Sequence, residues 1–126
     1  MSNGVILHEG ASLIDGKPIV MIGIRKSNNN KTGNMVQVFY IRTDIDPMSA
    51  NKSGEDFSIC GSCHLRGKPH NRDNKATADE RGCYVMLLGI LAIYKAYKAG
   101  KYPTLPTHEW GKFVAGRTVR LGAYGD

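Results

Sequence analysis

Apolar and β-branched residues recur in three short runs across the first third of the chain, separated by polar turn formers. The runs cover residues 5–7, 19–24 and 35–41, and each has the length and composition typical of a strand. The middle run is continuous, which predicts a strand that is covered on both faces. Residues 25–34 are rich in Asn, Lys and Gly, and they predict a hairpin with a long polar tip.

A different pattern begins at Asp46. Its carboxylate can cap a helix whose first residue is Pro47, and the pair Ser53-Gly54 can end that helix. Further along the chain, residues 106–116 predict one more short helix, and residues 118–121 predict a strand with alternating sides.

The longest apolar run, residues 84–94, predicts a central helix whose first turns are buried on all sides. Gly100 is a good terminator for it. Thr77 and Glu80 have the spacing of a capping box, which favours an early start. The pattern alone leaves two starting points open, one near Thr77 and one after Val85.

Together these elements predict a small α+β domain over residues 1–126, with an N-terminal antiparallel β-sheet, one central buried helix and a cysteine-pinned loop. Residues 1–60 are β-rich and neutral, with six basic and six acidic side chains. Residues 61–126 are helical and basic, with eleven basic and five acidic side chains, and they supply the entire net charge of +6.

The sequence gives no sign of a membrane segment. No apolar stretch reaches the about 20 residues that cross a bilayer, and the N-terminal residues lack the pattern of a signal peptide. An odd number of cysteines without an export signal argues for a reducing environment. We therefore expect a cytoplasmic protein with no membrane partner.

The uneven charge indicates a polyanionic partner, above all nucleic acid, because a one-sided positive field attracts phosphate backbones. Such contacts position a protein without reading a base sequence. The side chains expected to contact nucleic acid are Arg66, Lys68, Arg72, Lys75, Arg81, Lys95 and Lys98.

The strongest chemical signal is the cysteine pattern, with Cys60 and Cys63 in a Cys-x-x-Cys turn and Cys83 after a polar loop. Thiolates are the usual ligands of structural zinc and of iron–sulfur clusters. A closed zinc site needs a fourth ligand. His64, His70 and the more remote His108 are the candidates, and His70 in the loop is the easiest choice. A [4Fe–4S] cluster with one open iron is the alternative cofactor. Residues 65–81 cannot build much core, so a bound metal is expected to order them.

Two other interpretations of the cysteines stay open. The thiols can be unligated, with Cys83 buried in the core, or Cys60 and Cys63 can form a redox dithiol. No catalytic constellation is present: phosphate-binding glycine loops, H-E-x-x-H and G-x-S-x-G are all absent. The tyrosines, including Tyr124, are interpreted as core or surface residues, so the sequence shows no catalytic group and leaves open whether the chain is an enzyme.

Six stretches of the sequence, when they are taken together, resemble those of a known protein family. They are residues 4–7, 13–20, 31–37, 60–63, 83–85 and 120–126. In this ordered series the chain resembles a family of phage and prophage proteins often labelled rolling-circle replication proteins. The resemblance implies that Cys60, Cys63 and Cys83 are the family's cysteines. Members of that family continue past the stretch at residues 120–126 with further cysteines, so the chain is interpreted as a short or truncated member.

The leading hypothesis is therefore a small phage-encoded metal-binding protein that engages nucleic acid or a nucleoprotein complex in the host cytoplasm. One alternative is an anti-defence protein, for example an anti-CRISPR inhibitor, that binds a host protein and occupies its nucleic-acid channel. The other alternative is a fragment of a metal or iron–sulfur enzyme with an open coordination position.

Overall fold

The three apolar runs of the first third are strands of a four-stranded sheet in the computed structural model, which describes residues 3–25 and 35–125. The sheet has the order β1-β2-β3-β4, in which the first three strands are antiparallel and β4 runs parallel to β3. This confirms the predicted α+β class and the N-terminal antiparallel unit. The strands are β1 (Gly4–Ala11), β2 (Pro18–Ile24), β3 (Val36–Arg42) and β4 (Val119–Tyr124). Apart from Arg25, the predicted hairpin tip lies outside the described residues.

The helices lie between β3 and β4 in the chain and are short. They are α1 (Pro47–Ser53), α2 (Phe57–Cys60), α3 (Leu87–Lys98) and α4 (Trp110–Val114), with 3-10 turns at His64–Arg66 and Thr107–Glu109. Within the described residues, none of these helices is long and apolar enough to cross a membrane.

Helix α1 confirms the capping prediction. The carboxylate of Asp46 accepts a hydrogen bond from the backbone N–H of Ser49 at 3.0 Å, and Pro47 is the first helical residue. Gly54 ends the helix with a φ of 84°, a conformation that costs glycine little. Local sequence therefore determines both ends of this helix.

Helix α3 begins at Leu87, so the start after Val85 is right and the start near Thr77 is wrong. Residues 77–86 form a loop instead, in which Glu80 has a φ of 55°. Leu87 and Ile90 are the buried residues of the helix, whereas Leu88 keeps 65% of its surface exposed. The expectation of burial on all sides is also wrong, because the helix packs on the sheet with one face and turns the other to solvent.

The sheet is covered on both faces, as the continuous apolar run of β2 predicts. On one face, Val20, Ile22 and Ile41 pack with Leu87 and Ile90 of α3 in the larger of two buried clusters. On the other face, Val5 and Val36 pack with Leu105 and Phe113. Helix α3 and the segment that carries α4 therefore enclose the sheet from opposite sides.

Candidate functional site

The three cysteines lie on two pieces of backbone, one with Cys60 and Cys63 and one with Cys83, that meet beside the end of β4. Cys60 is the last residue of α2, Cys63 ends the turn that follows, and Cys83 lies in the segment that leads to α3. The carbonyl of Leu65 accepts hydrogen bonds from the N–H groups of Gly82 and Cys83, each at 3.0 Å. Because Leu65 follows Cys63 so closely, this pair of bonds holds the third cysteine beside the first two.

All three cysteines line one cavity of about 230 Å³. Cys60 and Cys83 are half-buried and Cys63 is exposed, and none of them forms a disulfide. Burial raises the pKa of the Cys60 thiol to about 12, and the nearby carboxylate of Asp56 adds to the shift. Cys60 is therefore a neutral thiol at physiological pH unless a cation ionises it.

The thiols border the cavity without surrounding a single point. Within residues 3–25 and 35–125, no group of three His, Cys, Asp or Glu side chains is arranged to hold a metal ion.

His70, the expected fourth ligand, is not brought to this cavity. Its Nδ1 accepts a hydrogen bond from the backbone N–H of Arg72 at 3.1 Å. Its Nε2 must then carry the proton, and it lies 2.7 Å from the carbonyl oxygen of Thr77. Both ring nitrogens thus hold the loop, and His70 does not line the cavity with the three cysteines.

Tyr124, at the end of β4, faces the same cavity and is only 4% exposed. Among the described residues, its hydroxyl is the one buried side-chain polar atom without a hydrogen-bond partner. Burial raises the pKa of this hydroxyl far above its ordinary value, and the charges of Cys60 and Asp56 contribute in the same direction. Sequence reasoning treated Tyr124 as an ordinary core or surface residue, and no local signal marked it.

The loop beside the cysteines is ordered by buried polar side chains, which the sequence analysis missed. Asn51, 2% exposed, donates from Nδ2 to Asp56 Oδ2 at 3.1 Å and to the carbonyl of Arg66 at 2.9 Å. Its Oδ1 accepts from the backbone N–H of Ala78 at 2.8 Å. One amide therefore joins the two ends of the loop to α1 and helps to order the loop.

A buried ion pair completes this arrangement. Asp56 Oδ1 accepts from Arg66 Nε at 3.0 Å, and the side chains are 3% and 16% exposed. Arg66 also donates to the carbonyls of Gly61 at 2.6 Å and Gly54 at 2.9 Å. The guanidinium thus fixes the turn between Cys60 and Cys63.

The basic residues expected to contact nucleic acid are mostly engaged within the chain. Lys68 pairs with Glu80 at 2.8 Å, and both Arg72 and Lys75 pair with Asp79. On α3, Lys95 is exposed, and Lys98 donates to the carbonyl of Thr43 at 3.0 Å. The remaining one, Arg81, donates to the carbonyls of Cys83 at 3.1 Å and Val85 at 2.9 Å. The positive charge of the loop is therefore largely used to hold the loop together.

Replacement of Gly67 by alanine is expected to lower the free energy of unfolding by about 2 kcal/mol. Its φ is 88°, and a Cβ would lie 2.4 Å from the carbonyl oxygen of Asp79. A left-handed alanine costs about 1 kcal/mol, and the overlap adds about as much again. Gly16→Ala is the matched control, since Gly16 has a φ of 76° with no atom within 4 Å. Equal shifts of the urea midpoint for both variants would contradict the close packing of this loop.

A scan against models of known protein families, a search of curated proteins and a search of solved structures each gave no match to this chain. The resemblance to phage and prophage proteins therefore stays a prediction.

Proposed function

We propose that this protein binds a metal centre through the thiolates of Cys60, Cys63 and Cys83. The observation that carries the proposal is that these three cysteines border one cavity. Thiolate sulfur is the preferred ligand of zinc and of iron–sulfur clusters. Zinc is the leading cofactor, and a [4Fe–4S] cluster with one iron free of cysteine is the alternative.

The charges around the cavity support a centre of this kind. Arg66 and Arg81 line it as two cations, and Asp56 lines it as one anion, which leaves one positive charge over. A divalent ion bound by three thiolates carries one negative charge, and so does a divalent cluster with three thiolates. Either centre would be neutralised by its surroundings, as a partly buried charge requires. The balance also favours a neutral group in the fourth coordination position.

The proposal is tested by the metal content of protein purified and reconstituted without oxygen. One zinc per chain, or iron and sulfide in equal amounts with a brown chromophore, is the expected result, and the two outcomes distinguish the cofactors. Cys83→Ser should lower the affinity more than about 100-fold, because even an indirect partner of a metal ligand contributes about 10–100-fold. Ser62→Ala changes the same turn without removing a thiol, and it should bind as the natural sequence does. Metal content that is substoichiometric in the natural sequence, or unchanged when all three cysteines are serine, would refute the proposal.

The engagement of nucleic acid or a nucleoprotein complex stays a prediction, as do the anti-defence and enzyme-fragment alternatives. A phosphate contact by Arg66 would have to replace its buried bond to Asp56, which makes this residue a poor candidate. The exposed pair of Lys68 and Glu80 is held weakly, so Lys68 can exchange its carboxylate for a phosphate at small cost. Lys95 on α3 is exposed as well.

A further inference from the structure

We infer that Tyr124 positions the proposed centre by donating a hydrogen bond from its hydroxyl to a thiolate sulfur when metal is bound. This inference rests on the proposed function and deepens it, since it assigns a fourth side chain to the same cavity. Tyr124 would act through the sulfur ligand and would not itself bind the metal.

The first observation is that the hydroxyl has nothing to bond to in the described residues, although the side chain is 4% exposed. Buried polar groups are nearly always hydrogen-bonded, so an orphan that faces a cavity indicates a missing acceptor. Asp56, the one carboxylate that lines the cavity, does not fill this role. Its two oxygens accept from Asn51 and Arg66, and it makes no hydrogen bond to the hydroxyl although both side chains line the cavity.

The acceptor is therefore expected among the sulfurs. A protonated thiol is a weak acceptor, whereas a thiolate is charged and accepts strongly. Metal binding converts the thiols into thiolates, so it creates an acceptor that the metal-free cavity lacks. Metal binding would thus give the Tyr124 hydroxyl a hydrogen-bond acceptor at the same time as it fills the cavity.

The position of Tyr124 is fixed by its neighbour. Gly125 has a φ of 76°, and a Cβ there would lie 3.1 Å from Cβ of Ile59 and 3.2 Å from the carbonyl oxygen of Ile59. Ile59 directly precedes Cys60 in α2. The end of β4 is therefore packed against the helix that carries the first cysteine, which fixes the place of the hydroxyl relative to Cys60.

The variant Tyr124→Phe is expected to behave differently in the metal-free protein and in the metal-loaded protein. In the metal-free protein, loss of an unsatisfied hydroxyl should leave the unfolding midpoint in urea unchanged or raise it. In the cobalt(II)-loaded protein, the affinity for cobalt should fall about 10–100-fold. The sulfur-to-cobalt charge-transfer band should also shift to lower energy, because the thiolate loses a hydrogen bond. Tyr102→Phe is the control, since Tyr102 packs against the same core but does not line the cavity.

Each result decides one of the two claims. If the natural sequence binds no cobalt through sulfur, the proposed function and the role of Tyr124 both fail. If it binds cobalt and Tyr124→Phe has the same affinity and the same band, only the role of Tyr124 fails. A lower urea midpoint for metal-free Tyr124→Phe would also overturn that role, because it would mean that the hydroxyl is already satisfied without metal.

Discussion

Asp56→Asn should lower the free energy of unfolding by about 3 kcal/mol, although the two side chains have the same shape. Both carboxylate oxygens of Asp56 accept hydrogen bonds, one from Asn51 and one from Arg66. An asparagine would turn its amide nitrogen toward one of these donors and would leave the guanidinium without a counter-charge. Removing the charge of one partner of a buried ion pair costs about 3–5 kcal/mol. The side-chain oxygen that asparagine keeps offsets part of this cost.

The matched control is Glu80→Gln, which makes the same chemical change in an exposed pair. Lys68 and Glu80 are 76% and 69% exposed, and such pairs contribute about 0–1 kcal/mol. Urea unfolding at neutral pH measures both variants, and the slopes should match that of the natural sequence. If both variants shifted the midpoint equally, the buried pair would not be what holds the loop.

Phe113→Ala should lower the free energy of unfolding by about 4 kcal/mol. Phe113 is 1% exposed and is the largest fully buried side chain among the described residues, and it packs with Val5, Val36 and Leu105 on the face of the sheet opposite α3. Its ring lies 3.1 Å from the place where Gly23 would carry a Cβ. Gly23 has no side chain to fill the space left by the ring, so we expect a cavity to remain. Deletion of a buried phenylalanine side chain costs about 3–5 kcal/mol.

Leu121→Ala is the control for this prediction, because Leu121 keeps 69% of its surface exposed. Its removal should change the free energy of unfolding by about 0.5 kcal/mol or less. Thermal unfolding followed by circular dichroism checks both variants. A small effect of Phe113→Ala would mean that this second cluster contributes little to the core.

The features that could be predicted from the sequence are those determined by neighbouring residues. Asp46 and Gly54 bound α1 through contacts within the helix itself, and β1 and β2 pair across the short connection of residues 12–17. The fourth strand was predicted, but its parallel pairing with β3 was not, since nothing near Val119 indicates which strand it will meet. The Cys-x-x-Cys spacing predicted that the three cysteines meet around an ion; they line one cavity, but in the described part of the chain they are not arranged to hold a metal ion.

The failed capping box shows why the rest could not be predicted. Glu80 has the right spacing from Thr77, yet its carboxylate pairs with Lys68 and its neighbour Asp79 forms a backbone bridge to the same lysine. These contacts join residues that are distant in sequence, and they override the local preference for a helix. The role of Asn51 was missed for the same reason, because an asparagine near the end of a short helix looks like a surface residue.

The backbone bonds from Gly82 and Cys83 to the carbonyl of Leu65 have a consequence for how the protein would exchange the proposed metal. Small zinc domains commonly unfold when a chelator takes their ion, because the ion is their principal cross-link. Here peptide hydrogen bonds also join the segment of Cys83 to the segment of Cys63. Removal and rebinding of the proposed ion would then be reversible local events, and the metal-free form would persist in the cell instead of being a target for proteolysis.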